Sequence, residues 1–168
     1  MKHIISKSCA DAQAYIVPFR AKSPRSVSIA PEMDAAVDLA INGSFGGNLG
    51  ETYAMTLPVG DKLTSIILLG LGADRLSVRD IHTKAAPAFK QAKQLGAKHV
   101  AIMLDQVSEL SESAELFGAL ARLPQLVGYT NSGLKSNPEN KSFEQVAFVT
   151  AADGLDAALS EAVATCLL

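Results

Sequence analysis

Phosphate chemistry is the first that this sequence suggests. Gly70-Leu71-Gly72 follows directly on the apolar run Ile66-Ile67-Leu68-Leu69. Glycines spaced in this way let backbone approach a pyrophosphate at a helix N-terminus. The dinucleotide fingerprint needs a third glycine at position 75, where the chain has Arg75. The turn therefore reads first as one that lets strand and helix pack closely, with an anion site as the alternative. A second stretch, Gly43-Ser44-Phe45-Gly46-Gly47-Asn48-Leu49-Gly50-Glu51, reads as a helix-to-strand connection or as a loop that approaches a ligand. Ser44 stands in Gly-Ser-Phe-Gly, which is not the nucleophile elbow Gly-x-Ser-x-Gly. No P-loop lysine follows a glycine run.

The remaining chemistry-bearing side chains are scattered. His3, His82 and His99 form no ligand pair and read as satisfied or exposed structural residues. Asp105, Glu109 and Glu112 fall in a polar stretch expected to be a solvated loop. Cys9 has no basic neighbour or helix N-terminus to lower its pKa. With Cys166 it makes only two cysteines, too few for a disulfide framework or zinc knuckle. No residue of this chain is assigned a catalytic, cofactor-binding or metal-binding role.

The elements that hold these residues are legible. An apolar run closed by glycines reads as a strand buried on both faces. Residues 78–95 follow as an amphipathic helix, opened by the capping-box-like Ser77-Val78-Arg79-Asp80 and bent at Pro87. His99-Val100-Ala101-Ile102-Met103-Leu104 is the next strand, completing a βαβ unit. Upstream, Ile4 and Ile5 start a short strand. Ala14-Tyr15-Ile16-Val17-Pro18-Phe19 is a better one, with Pro18 suited to a strand end or sheet edge. Residues 20–30 read as a loop. Pro31 opens a helix with Met33, Ala36, Val37, Ala40 and Ile41 on one face, ended by Gly43. Tyr53, Met55, Leu57 and Val59 alternate as a half-buried strand, and a tight turn over residues 58–62 makes it antiparallel to the central one. Beyond the polar stretch 105–113 come a helix that Pro124 bends or splits, a loop over residues 130–142, and a strand over 143–149. A final helix follows, capped by Asp153, with Leu155, Ala158, Leu159, Ala162, Val163 and Cys166 on its face.

The chain of 168 residues suits one domain, with 48% apolar residues and a net charge of −2. That charge gives no case for nucleic acid or an anionic membrane. No apolar run approaches the roughly 18 residues a bilayer span needs. Met1-Lys2-His3-Ile4-Ile5 turns polar too soon for a signal peptide. A cytoplasmic setting is the default for a chain with two isolated cysteines.

Taken in order, these stretches resemble the N-terminal domain of the leucyl (cytosol) aminopeptidase family. The resemblance rests on Ile66-Ile67-Leu68-Leu69-Gly70-Leu71-Gly72 with its helix and Gly96-Ala97-Lys98, on Phe45-Gly46-Gly47 with Gly50-Glu51, and on Leu126-Val127-Gly128-Tyr129-Thr130 before Leu134-Lys135-Ser136. It implies a three-layer α/β/α fold with a mixed, roughly six-stranded sheet, similar to macro domains, as a single domain over residues 1–168.

Members of that family are two-domain metallopeptidases, usually hexameric, that release N-terminal amino acids from peptides. The resemblance thus implies a non-catalytic accessory domain of a cytosolic metal-dependent aminopeptidase, a hydrolase, serving assembly and active-site access. Its expected partners are its own C-terminal catalytic domain and further copies in a homo-oligomer. Two divalent metals, zinc or manganese, are implied for that catalytic domain. Its Asn-Thr-Asp-Ala-Glu-Gly-Arg hallmark is nowhere in this chain, so none of the family's functional residues carries over. The chain is expected to be an excised domain or a natural short homologue, monomeric or weakly self-associating alone, with residues after about Thr165 frayed. The alternative is a nucleotide- or ADP-ribose-binding macro-like module, with the loop at residues 43–50 as its local support.

Overall fold

Strand β4 (Lys62–Gly70) carries the apolar run, and Ile66, Ile67, Leu68 and Leu69 are all fully buried. Side chains alternate across a strand. Ile67 and Leu69 accordingly join one core, and Ile66 and Leu68 the other. The computed structural model describes residues 1–8, 12–132 and 143–166. In it β4 lies one place in from the edge of a six-stranded sheet. The other strands are β1 (Lys2–Ser6), β2 (Ala14–Phe19), β3 (Thr52–Val59), β5 (His99–Met103) and β6 (Gln145–Val149). Their order is β1-β6-β5-β2-β4-β3. All pairs are parallel except β3 with β4, joined by a two-residue turn in which Gly60 has φ 65°. The sheet is mixed, as the tight turn required.

Of the two places expected for Pro18, the structure has the strand end and not the sheet edge, because β2 lies inside the sheet, between β4 and β5. The proline is tolerated because pairing with β5 covers only Ala14, Ile16 and the residue between. Leu71 N donates to Phe19 O, so odd residues of β2 face β4. Pro18 faces the other way, past the end of the β5 ladder, where no N–H is needed.

One sheet face is covered by α1 (Pro31–Asn42) through Met33, Val37 and Ala40. Val27, Ile29 and Ala30 of the preceding loop pack against the same core. The opposite face carries the larger core, built by α3 (Ala86–Gln94), α5 (Ala114–Ser132) and α6 (Asp156–Cys166). Phe117 and Phe148 meet there edge to face, 5.3 Å between centroids. Three layers, α/β/α, result.

The helix read over residues 78–95 is three pieces. The α2 turn (Val78–Asp80) opens with the expected capping box: Ser77 Oγ accepts from Asp80 N at 3.1 Å, and Asp80 Oδ2 from Ser77 N at 3.3 Å. A π-helical turn, Ile81–Ala85, then leads into α3, with Pro87 in the first turn of α3. The wider turn accommodates the proline ring and its missing N–H without breaking the segment.

Other boundaries also differ. The polar stretch after β5 is not a loop: it holds a 3₁₀ turn, Leu104–Gln106, and α4 (Glu109–Glu112), anchored by buried Leu104, Val107 and Leu110. Pro124 does not split α5, which runs on to Ser132 and so takes in the start of the loop expected from residue 130. Asp153 does not cap the last helix. That helix begins at Asp156, Leu159 N bonds Leu155 O at 2.9 Å, and Asp153 instead pairs with Lys7 on the surface. Cys9, Leu134-Lys135-Ser136 and Leu167-Leu168 lie outside the described residues.

Candidate functional site

In open α/β sheets ligands favour the crevice at the carboxyl ends of the strands, where successive connections turn to opposite sides. Here that point lies at β2, between β4 and β5. Both glycine-rich stretches meet beside it. Gly72 N donates to Gly47 O at 2.9 Å, Gly50 N to Gly70 O at 2.9 Å, and Gly70 N to Glu51 O at 2.7 Å. Leu71 N donates to Phe19 O at 2.8 Å. The N–H groups of residues 70, 71 and 72 are thus all used within the chain.

The glycines have a steric reason. A Cβ on Gly70 would stand 2.1 Å from Asn48 O, and one on Gly47, at φ 78°, 2.7 Å from Arg20 O. Backbone lies directly on backbone. The turn permits close packing, as the sequence suggested, but against the 46–50 loop rather than against the following helix.

The loop also supplies its own anion. Glu51 Oε1 accepts from Gly46 N at 3.2 Å and Asn48 N at 3.1 Å, and Oε2 from Gly46 N at 3.3 Å. A carboxylate of this chain occupies the place where a glycine loop could take a phosphate oxygen.

Two side chains fill the crevice itself. Arg20, directly after β2, donates from Nη1 to Leu71 O at 3.0 Å and from Nη2 to Asp74 O at 2.7 Å, and its Nε lies 3.2 Å from Glu109 Oε1. Gln106, 9% exposed, accepts at Oε1 from Ser26 N at 2.8 Å and donates from Nε2 to Pro24 O at 2.9 Å. Together they tie the loop after β2 to the loops after β4 and β5.

Beside Arg20 lies an open groove of about 540 Å³, lined among others by Lys22, Arg25, Asp38, Asn42 and Gly46. Its cations are largely committed. Arg25 donates to both oxygens of Asp38, at 2.9 and 3.2 Å, and that hydrogen bonding holds its guanidinium still more firmly protonated. Arg75 lines a different groove, with Glu109, Glu112 and Glu115.

The scattered candidates stay apart. Asp105 is not simply solvated: Oδ1 accepts from Thr150 Oγ1 at 2.6 Å and Oδ2 from Ala151 N at 2.8 Å, fastening the end of β5 to the end of β6. Glu112 is exposed, as is Ser44. His99 Nε2 lies 3.5 Å from Glu144 Oε2. His3 and His82 depart from the expectation of satisfied or exposed histidines. Each buries Nε2 without a hydrogen-bond partner among the described residues. Burial lowers both pKa values, helped at His3 by the N-terminal amine and at His82 by Arg122. Among the described residues no three of His, Cys, Asp or Glu come together as a metal-holding group, and no helix is long and apolar enough to cross a membrane.

Sequence reasoning missed Arg20, Glu51 and Gln106 as the hubs. The signal for Arg20 was positional, a long cation at the carboxyl end of a central strand. Glu51 closes a glycine-rich loop, where a carboxylate can collect exposed N–H groups.

Residues 32–138 match the family profile described as "Cytosol aminopeptidase family, N-terminal domain". No curated protein sequence matches. Among solved structures, a mutant of tomato leucine aminopeptidase superposes with a TM-score of 0.70 at 17% identity, over 99% of this chain and 36% of its own. The bottromycin maturation enzyme BotP superposes with a TM-score of 0.61 at 15% identity, over 94% of this chain and 31% of its own. Its complex with Mn gives 0.55 at 16% identity, over 94% and 30%. The chain spans about a third of the length of the structures it matches.

Proposed function

Because the chain belongs to the cytosol aminopeptidase family, as its N-terminal domain, we propose that it is the non-catalytic part of a metal-dependent leucyl aminopeptidase of the cytosol. Its parent releases N-terminal amino acids from peptides. The hydrolysis, and the two divalent metals, zinc or manganese, belong to a C-terminal catalytic domain. The N-terminal domain serves assembly of the homo-oligomer and access to that active site.

The observation that carries this reading is the family match over residues 32–138. The strand-end crevice adds support for a scaffold, since Arg20, Glu51 and Gln106 spend its polar groups on the domain's own loops. This also speaks against a nucleotide or ADP-ribose module. The chain's acids and histidines fit a metal pair poorly: Asp105 is held by Thr150, Glu51 by its loop, and His99 lies against Glu144.

The test is hydrolysis of Leu-p-nitroanilide with added manganese or zinc. Metal-assisted hydrolysis needs positioned ligands and an open coordination site. The chain alone is expected to show no turnover, and a parent carrying both domains to be active. Turnover by the chain alone that survives repurification and stops with a chelator would refute the assignment. Calorimetry with ADP-ribose tests the alternative, and no heat of binding is expected.

A further inference from the structure

The outer strand of the sheet is built in a way soluble proteins usually avoid. Among the described residues no strand pairs with the outer side of β3. Natural edges are protected by charge, proline, bulges or short length, and here the one proline, Pro58, stands next to the strand's end and leaves residues 52–57 without such a guard. β3 has eight residues, Thr-Tyr-Ala-Met-Thr-Leu-Pro-Val, with no charge among them. Tyr53 is 38% exposed, and Leu63, across the hairpin from Pro58, is 72% exposed.

The free backbone groups can be identified. Val59 and Lys62 flank the two-residue turn, so they form a hydrogen-bonded pair, and such pairs alternate along the ladder. The bond from Gly70 N to Glu51 O shows the same parity at the far end. Odd residues of β3 therefore bond to β4, while Thr52, Ala54, Thr56 and Pro58 turn their backbone groups outward. Pro58, which has no N–H to offer, sits at an outward position, the place a proline tolerates.

We propose that β3 is a self-pairing edge, through which two copies of this chain join antiparallel about a two-fold axis at Met55 and continue one sheet into the next. This register uses every outward N–H. Ala54 N–H meets the partner's Thr56 carbonyl, Thr56 N–H the partner's Ala54 carbonyl, and Thr52 N–H the partner's Pro58 carbonyl. On one face Met55 lies against the partner's Met55 and Tyr53 against the partner's Leu57, the kind of apolar cross-strand pair that stabilises sheets. On the other face Ala54 meets the partner's Thr56. The occupant is a second copy because an uncharged strand meets itself without like-charge opposition, and its donors and acceptors match under the two-fold. A single strand pair buries less than the roughly 1,200 Å² at the low end of standard interfaces, so the dimer is weak and dissociates on dilution.

Sedimentation of the 168-residue chain from low micromolar to sub-millimolar concentration is expected to show its mass rising from monomer toward dimer. Ala54→Pro removes an N–H that faces away from β4 and bonds to nothing among the described residues. It should stay monomeric with unchanged circular dichroism and denaturant midpoint. Independently, in a Cys9→Ser, Cys166→Ser background, Met55→Cys should form a disulfide-linked dimer under mild oxidation, because residue 55 faces itself across the axis. The proposal is overturned by a parent that stays monomeric throughout, by a folded Ala54→Pro that dimerises as the parent does, or by a Met55→Cys chain that does not cross-link. If Ala54→Pro fails to fold, the cross-linking result decides alone.

Discussion

The carbonyl oxygen of Asn48 occupies the space that a side chain on Gly70 would need: a Cβ there would stand 2.1 Å away. Neither group can yield cheaply, since both are backbone and both segments are fixed by hydrogen bonds. Gly70→Ala should therefore destabilise the chain by about 3 kcal/mol or more, the upper range for forced overpacking. Gly60 is the comparison. It has φ 65° but, among the described residues, nothing within 4 Å of a Cβ, so Gly60→Ala should cost only the roughly 1–2 kcal/mol of left-handed backbone. Denaturant midpoints of the two variants separate crowding from conformation.

Arg20 should prove structural. Replacing it with methionine removes charged donors from the carbonyls of Leu71 and Asp74, and hydrogen bonds to charged groups contribute about 1.5–3 kcal/mol. The pairing with half-exposed Glu109 adds less than about 1 kcal/mol. Arg20→Lys should not restore the loss, because one ammonium cannot reproduce a fork that reaches Leu71, Asp74 and Glu109. Urea titration of Arg20→Met and Arg20→Lys against the parent checks both statements.

Leu68 is fully buried in the smaller core, with Val17, Phe19 and Met33 among its residues. Leu68→Ala should cost about 2–5 kcal/mol through lost transfer energy and the cavity left behind. A midpoint equal to the parent's would contradict the burial.

Acid should weaken the fold through His82. Its folded pKa is lowered by burial and by Arg122, from an ordinary value of 6.5. Below about pH 6.5 the unfolded chain therefore binds a proton that the folded chain resists. By linkage, stability rises with pH in this range and falls as acid increases. His3, lowered by burial and the N-terminal amine, acts in the same direction. Denaturant midpoints from pH 7.5 down to 5.5 should decline in the parent and decline less in His82→Gln.

Much of this fold can be read from apolar patterning. Ile66 to Leu69 marked a doubly buried strand, Met33, Val37 and Ala40 a helix face, and Gly60 a tight turn, because burial and left-handed backbone leave direct traces in residue type. The departures share another cause. Pro87 and Pro124 announce a missing hydrogen bond but not how a helix adapts: one is met by a π-helical turn, the other lies within a continuous helix. The stretch 105–113 reads as a loop because its polar majority hides two anchors, Val107 and Leu110. The strand-end hub was hardest to see. Arg20 reaches residues 71, 74 and 109, and such long-range partners leave no local pattern.

The pairing of β1 with β6 constrains when this domain can form. Lys2 lies beside Gln145 and Ser6 beside Val149, so the first strand made finds its ladder only on nearly the last. During synthesis the β3–β4 hairpin can close as soon as it emerges, and β2 can dock once β4 exists. β1 must wait for nearly the whole chain, and closing so long a loop carries the largest entropy cost of any strand pair in the sheet. On the ribosome, the first of these six strands to leave the tunnel is thus the last to join the sheet.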